Sequence, residues 1–201
     1  CLTDTAPRLL EMDDEAFGNA WDHLHALPLS QRTTLVLRRT VLVLDHENTG
    51  CPLRTLILDR CRVFMTADFL YHFPDLEILI VCKSIMLNSV QQFDWLSPSA
   101  RHIHILQDNF EDLQEDPAPA ATFPALESLT FTWLQPDTDK SDGPAVDVAD
   151  PLPDLRKFVE SSIVAPQCTF KYLRSTKSSE EALADAMADL GLASSAFLDS
   201  D

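Results

Sequence analysis

A short phrase recurs through the middle of this chain: a proline, then a run whose first, fourth and sixth places are mostly apolar. Pro52, Pro74, Pro98 and Pro124 open the clear copies, 22, 24 and 26 residues apart, and a weaker copy opens at Pro153. Because side chains alternate across a strand, the fourth and sixth residues enter one layer while their neighbours point the opposite way. One such strand cannot bury its own apolar side, whereas a stack of parallel strands can. The repeat therefore predicts a stacked parallel sheet, an architecture that offers a surface rather than a pocket.

The copy that opens at Pro52 carries the most specific pattern. Leucines stand at its first, fourth and sixth places, a cysteine at its ninth, and a threonine before the next predicted short helix: Leu53, Leu56, Leu58, Cys61 and Thr66. This pattern resembles the cysteine-containing type of leucine-rich repeat, familiar from F-box proteins, the substrate-recognition subunits of Skp1–cullin–F-box ubiquitin ligases. The resemblance is strong over residues 51–81, fair over 98–131 and poor beyond 150. The ninth place becomes Ser84 and then Asp108 in the next two copies.

The resemblance implies an α/β fold, a short leucine-rich-repeat solenoid. A parallel sheet would form its concave face, short helices or loops its convex face, and helical segments would lie at both ends. The expected organisation is an N-terminal helical cap over 1–31, about five irregular repeats over 32–165, and a C-terminal segment over 166–201 with a helix over 179–190. These boundaries describe one domain, as suits a chain of 201 residues.

Two local expectations concern the ends of the repeat array. The first repeat strand falls either at residues 34–38 or at 41–45, and the pattern leaves both open. Near the other end, Ser178 and Glu181 have the spacing of a capping box and Gly191 supplies a stop, which predicts the C-terminal helix. We expect that helix to dock as an end cap on the last repeat.

The resemblance also implies an F-box, an N-terminal helical module that opens with a Leu-Pro-acid phrase and binds the adaptor. The first thirty residues offer only Leu27-Pro28-Leu29-Ser30, without the acid. Because the chain begins at Cys1 without an initiator methionine, we expect it to be a fragment. Contact with the Skp1–cullin machinery is expected only if an F-box precedes Cys1.

Composition limits the partners. The formal net charge is −17 and the pI is near 4.5, which argues against nucleic acid and anionic membranes because phosphate attraction supplies much of that affinity. A protein partner with a basic surface would suit the charge better. Five cysteines without a CxxC pair, no secretory signal and no long apolar run predict an intracellular protein, cytoplasmic or nuclear.

The predicted register places alternate residues of four strands on one exposed face. An apolar centre ringed by threonine, aspartate and histidine suits a protein interface with a hydrophobic core and a polar rim. The alternative is that the N-terminal helix or an acidic loop covers this face. The predicted partner-binding residues are Thr55, Ile57, Asp59, Ile78, Ile80, Cys82, His102, His104, Leu106, Ser128, Thr130 and Thr132.

Sequence motifs for chemistry are lacking. The chain has no phosphate-binding glycine loop, no GxSxG, no HExxH and no cysteine pattern with zinc spacing, so we expect no catalytic residue, cofactor or metal. The expected function is a non-catalytic protein-interaction module, by resemblance the substrate-recognition part of an F-box-type ligase. One alternative is a leucine-rich-repeat scaffold or regulator unrelated to ubiquitination. A remote alternative is a metal or thiol enzyme that uses His102, His104 and Cys82, since the histidines share a strand face and the cysteine lies on the preceding strand.

Overall fold

The computed structural model describes residues 34–44, 53–65, 73–87, 99–110, 121–135 and 150–192. The predicted N-terminal cap and most of the short helices or loops predicted for the convex face lie outside these ranges. The described residues form a mixed α/β structure whose central element is a parallel sheet of six strands. None of its helices is long and apolar enough to cross a membrane.

The main sheet follows the predicted repeat. Its strands lie in the order in which they occur along the chain, each paired in parallel with the next. They begin at residues 34, 55, 78, 102, 128 and 169, so the first five start 21 to 26 residues apart. The strands are β1 (Thr34–Arg38), β3 (Thr55–Asp59), β5 (Ile78–Cys82), β7 (His102–Gln107), β9 (Ser128–Leu134) and β11 (Thr169–Ser175).

A second parallel sheet, which the sequence pattern did not predict, runs beside the first three units. It consists of β2 (Val41–Leu44), β4 (Arg62–Met65) and β6 (Ile85–Leu87). The ambiguity of the first unit is thereby resolved, because residues 34–38 form the main-sheet strand and residues 41–44 belong to the second sheet.

A left-handed corner separates the two sheets in each of these units. Arg39, Arg60 and Lys83 have φ values of 49°, 56° and 46°, a region that costs a residue with a side chain about 1 kcal/mol or more. Each corner N–H still donates to the next main-sheet strand, at 2.7 to 2.8 Å. The second sheet's ladder then begins two residues later. The corner thus redirects the chain without interrupting the backbone hydrogen bonding.

Within the described residues the second sheet ends at β6, and the next unit does not turn after its main-sheet strand. Strand β7 continues through Gln107 instead of adopting a left-handed corner. The Ser84 carbonyl, which a following strand would otherwise pair, accepts a hydrogen bond from Gln107 Nε2 at 2.8 Å. At this carbonyl a side-chain amide therefore donates, whereas the equivalent carbonyls of Thr40 and Cys61 accept from the backbone N–H groups of Arg62 and Ile85.

The recurring proline has a defined place in the fold. Pro74, Pro124 and Pro166 each occupy the second position of a tight turn before a main-sheet strand, closed by backbone bonds such as Leu76 N–H to Phe73 O at 3.3 Å. Proline suits this position because its fixed φ matches the turn.

The repeat copy predicted at Pro153 is wrong, because this segment does not form a strand. Residues Leu152–Ser162 form helix α1, and the strand of that unit is β11, seven residues beyond the helix. Proline is favourable in a first helical turn, and Leu152, Leu155 and Val159 are buried at helical spacing. The sheet also continues past the predicted repeat boundary at 165, since β11 pairs with β9 along its whole length.

Two short strands lie next to this unit. They are β8 (Ala121–Thr122) and β10 (Ile163–Val164), and they pair in parallel with each other. Strand β10 begins directly after α1, so this pair connects the end of the helix to the start of the β9 unit.

The predicted layering is present in the main core. The first, fourth and sixth residues of the repeats pack together in one cluster, as Leu53, Leu56 and Leu58 show, each with no exposed surface. Residues Leu42 and Val63 of the second sheet and Leu155 of α1 close the same cluster. The core therefore lies between the main sheet, the second sheet and α1.

The ninth position of the repeat is a buried polar contact. The Cys61 thiol donates to Leu37 O at 3.3 Å, and the Cys61 N–H donates to Ser84 Oγ at 2.8 Å. The Ser84 hydroxyl in turn donates to Cys82 O at 3.0 Å. Burial raises the pKa of the Cys61 thiol, so the group acts as a small neutral donor. Cysteine and serine make an equivalent contact at this position, because the Cys61 thiol also lies 3.5 Å from Asp59 O, the carbonyl that corresponds to Cys82 O in the next unit.

The predicted C-terminal helix is confirmed as α2 (Ser179–Asp189). Ser178 is its N-cap, and its hydroxyl and backbone N–H exchange hydrogen bonds with Glu181 at 3.3 and 3.0 Å. Gly191 follows with a φ of 70°, as expected of a helix stop.

Replacing Ser178 by alanine should lower the free energy of unfolding by about 1 kcal/mol, because the change removes both halves of the capping box. Urea denaturation of the purified chain measures this difference. Thr176→Ala is the matched control, since Thr176 is exposed and lies outside the helix. Equal losses in the two variants would contradict the role assigned to the cap.

Candidate interaction face

The twelve predicted partner-binding residues lie on one face of the main sheet, in three rows that run across the strands. The backbone register sets these rows. The first row joins Thr55, Ile78, His102 and Ser128; the second joins Ile57, Ile80, His104 and Thr130; the third joins Asp59, Cys82, Leu106 and Thr132.

Most of this face is buried, which corrects the expectation that it is open. Ile57, Ile80, Cys82 and Leu106 have no exposed surface. They form a second hydrophobic cluster with Val36 of β1, Leu134 of β9 and four residues of α2. We call this surface the helix-covered face. The α2 residues that it buries are Ala182, Leu183, Ala186 and Met187.

The predicted position of α2 is therefore also wrong. The helix lies against β5 and β7, in the middle of the sheet, and not as an end cap on the last strand. The physical reason is the apolar centre of this face, formed by Ile57 and Ile80 of the second row and Leu106 of the third. An open main sheet would leave Ile57, Ile80 and Leu106 in water, and burying each such side chain is worth about 1.5–3 kcal/mol.

Polar contacts fix the first turn of α2 to the sheet. Arg60 Nη2 donates to Glu180 Oε1 at 2.8 Å and to Ser179 Oγ at 3.2 Å. The Cys82 thiol lies 3.8 Å from the Ser179 carbonyl. The hydrogen bond from Arg60 lowers the pKa of Glu180. Thus the left-handed corner after β3 presents the arginine that holds the helix; we call this contact the Arg60–Glu180 latch.

A buried carboxylate lies beneath the latch. Asp59 is 3.7 Å from Arg38 and 3.6 Å from Arg60. Burial nevertheless raises the pKa of Asp59, because desolvation outweighs the attraction of the two arginines. Burial also raises the pKa of the neighbouring Cys82 thiol to about 12, so the thiolate needed for nucleophilic or metal chemistry is disfavoured there.

The two histidines on this face are held by hydroxyl groups of the next strand. His104 Nε2 lies 2.8 Å from Thr132 Oγ1, and His102 Nδ1 lies 2.9 Å from Ser128 Oγ. Cys82 pairs with Leu106 in the register, not with a histidine. No three histidine, cysteine, aspartate or glutamate side chains within the described ranges converge on a point that could hold a metal ion. The remote enzyme alternative gains no geometric support.

His104 should make the protein less stable in acid. Burial lowers the pKa of His104 from 6.5 to about 4; nearby Asp189 opposes the shift and Lys171 adds to it. The unfolded chain therefore binds the proton more readily between these values, and stability falls as the pH falls through this window. Full development of the shift corresponds to about 3 kcal/mol.

The check is the free energy of unfolding of wild type and His104→Gln between pH 7 and pH 4. Glutamine keeps a polar group near Thr132 but does not titrate. The wild type should lose more stability than the variant over this interval. The raised pKa of Asp59 contributes with the opposite sign and is common to both proteins. Parallel curves would contradict the role of His104.

Three of the four residues in the row at the amino ends of the strands stay partly accessible, and the fourth, Thr55, is buried. Ile78, His102 and Ser128 are only partly buried, and the His102 side chain is 32 % exposed. One step earlier in each unit, a row of alternating charges runs along this edge: Arg54 pairs with Glu77 at 3.7 Å, and Arg101 pairs with Glu127. We call Arg54, Glu77, Arg101 and Glu127 the charged edge; none of them is among the twelve predicted residues. Ile78, His102 and Ser128, which lie next to it, are the predicted binding residues that stay partly accessible in this structure.

Two features escaped the sequence pattern. The Arg60–Glu180 latch joins residues 120 positions apart, and no local signal connects them. Strand β11, in contrast, had a signal. Pro166 is followed by Cys168, Phe170 and Tyr172, an alternation that marks a strand, but the polar Gln167 occupies the first place, so the first-fourth-sixth apolar spacing is incomplete.

No protein-family model matches the chain, and neither a curated protein nor a solved structure shows significant similarity to it.

Proposed function

We propose that this chain is a short leucine-rich-repeat solenoid that acts as a non-catalytic protein-interaction module. The observation that supports it best is the one-to-one register of six parallel strands, which repeats equivalent residues across one face. Stacked repeats of this kind create extended surfaces instead of enclosed sites. The buried neutral states of Cys82 and His104 also fit a structural role for these residues better than a chemical one.

The favoured role rests on resemblance. The cysteine-containing repeat over 51–81 is similar to that of F-box proteins, so the chain would be the substrate-recognition part of a ubiquitin ligase subunit. Skp1 and cullin would bind only if an F-box precedes Cys1 in the full-length protein. The alternative is a leucine-rich-repeat scaffold or regulator with no connection to ubiquitin; it requires the same surface but no adaptor.

A pull-down from cell extract with the full-length protein distinguishes the two roles. Recovery of Skp1 and cullin would support the ligase role, and their absence beside other reproducible partners would favour the scaffold. To locate the surface, the same experiment uses His102→Glu combined with Lys171→Glu, two changes on accessible parts of the sheet. The matched control is Lys157→Glu on α1, where the lysine is 80 % exposed.

The variants give a clear outcome for the surface. Partners lost with the double variant and kept with Lys157→Glu place recognition on the main sheet. Partners unaffected by both variants move recognition elsewhere on the molecule. Circular dichroism on all three proteins confirms that only surface chemistry has changed.

A further inference from the structure

The helix-covered face already holds a ligand-like segment of its own chain. Helix α2 presents one apolar side to the sheet, and its remaining residues are largely exposed. Two of its four buried side chains are alanines, so the contact is a close approach of helix and sheet with only Leu183 and Met187 as large anchors. Helix-in-groove recognition between proteins uses the same arrangement of apolar anchors at helical spacing.

The charges at the two ends of this contact give it a direction. The first turn of α2 carries Glu180 and Glu181, and it meets a basic region of the sheet in which Arg38, Arg39 and Arg60 all lower the pKa of Glu180. At the opposite end, Asp189 faces His104, whose pKa burial lowers to about 4, so this histidine is neutral and adds no matching attraction there. A helix that enters with its acidic end at the β3 corner is thus favoured over a reversed one.

We propose that α2 occupies the partner-binding face in cis, and that the partner contributes an amphipathic helix with an acidic first turn that displaces α2. The inference rests on the proposed interaction function and names its partner chemistry. A tethered helix competes at an effective concentration on the order of millimolar. The partner helix must therefore gain contacts that α2 lacks. The charged edge and the neighbouring, partly accessible Ile78, His102 and Ser128 supply a place for them.

Hydrogen exchange on the unmodified chain tests whether α2 can leave the sheet. If the helix is an occupant, it opens without global unfolding, so the amides of residues 183–189 should exchange at least about 100-fold faster than those of Leu79–Val81 and Ile103–Ile105. Glu180→Gln should speed exchange in α2 further and leave these strands unchanged. The control is Asp185→Asn, which removes an exposed pair with Lys177 but leaves the latch intact. Equal protection of helix and strands would overturn the proposal.

A second experiment tests the chemistry of the partner. A protease recognition sequence inserted between the exposed residues Thr176 and Lys177 allows the full chain to be cut after folding. The probe is a fluorescent peptide of residues 177–192, followed by anisotropy. The cut protein should exchange its own tail for the peptide, and the uncut protein should bind it at least about 100-fold more weakly because the tether is intact.

Charge reversal then identifies the latch. Arg60→Glu should weaken peptide binding by about tenfold or more, and a peptide with Glu180→Arg should recover much of the loss. Binding that ignores these changes, or unfolding of the cut protein, would overturn the proposal, because α2 would then be part of the folding core. These measurements use purified components, so they can succeed or fail independently of whether the cell-extract experiment finds Skp1 or another partner.

Discussion

Replacing Ile80 by aspartate is expected to force α2 off the sheet and to remove most of the protein's stability. Ile80 lies in the second row of the main sheet, has no exposed surface and packs in the cluster that includes Leu183 and Met187 of α2. A carboxylate there loses the apolar contact and is left without water, which costs about 5 kcal/mol or more. Since domains are stable by about 5–15 kcal/mol in total, the loss takes most of the available margin.

Ile80→Ala makes the same effect measurable in a folded protein. We expect its free energy of unfolding to fall by about 2–5 kcal/mol in urea denaturation, the range for large-to-small changes in a core. The matched control is Ile85→Ala, at an isoleucine that is 47 % exposed on β6, with an expected loss below about 1 kcal/mol. Similar losses at the two isoleucines would mean that α2 does not cover the sheet.

Replacing Phe131 by alanine should destabilise the opposite face by about 3–5 kcal/mol, the usual cost of removing a buried aromatic side chain. Phe131 is fully buried at the centre of β9. Its ring meets Phe110 edge-on at 5.9 Å and stacks on Tyr172 at 5.8 Å. Its loss therefore leaves a cavity between two strands and a loop, and removes two aromatic contacts at once.

Thermal and urea denaturation measure this second loss, and Phe131→Leu is the internal comparison. Leucine restores most of the apolar volume but not the ring contacts, so it should recover more than half of the stability. Near-ultraviolet circular dichroism should also change, because Tyr172 loses its stacking partner. A loss below 1 kcal/mol for the alanine variant would contradict a core centred on this residue.

The effect expected at Ile80 bears on function because the main sheet carries both buried and accessible residues on one face. A change at Ile80 or Leu106 removes core packing, so a partner lost with such a variant could reflect unfolding alone. His102, Ser128 and the charged edge are accessible, and a partner lost there reflects the contact itself. Surface variants are therefore the informative ones for binding, and α2 variants are informative for access to the face beneath it.

Much of the main sheet could be predicted from the sequence, because the information is local and repeated. A first-fourth-sixth apolar spacing after Pro74 and Pro124 defines both the turn and the strand, and alternation assigns each residue to a face. The same physics identified α2, whose capping box lies within four residues. The copy at Pro153 was misread because a proline followed by leucine is equally suited to the first turn of a helix, and the buried spacing of Leu152, Leu155 and Val159 favours the helix.

The second sheet and the helix that covers the main sheet could not be predicted from local sequence signals. The corners at Arg39, Arg60 and Lys83 adopt a conformation for which glycine or asparagine would be the usual signal, so nothing local predicted them. The apolar centre of the main-sheet face indicated that this face had to be covered. The apolar side of α2 indicated that the helix had to pack on a surface, but neither pattern indicated the other.

The sequence by itself determined the first five strands of the main sheet, their spacing, the faces of that sheet and the C-terminal helix, because backbone turns and side-chain alternation act over a few residues. Only the tertiary structure decided that the helix lies on the middle of the sheet, held by Arg60 and Glu180. The reason is that hydrophobic burial has no direction: any apolar helix side could cover any apolar sheet face, and the choice depends on chain connection and on charges that meet only after folding.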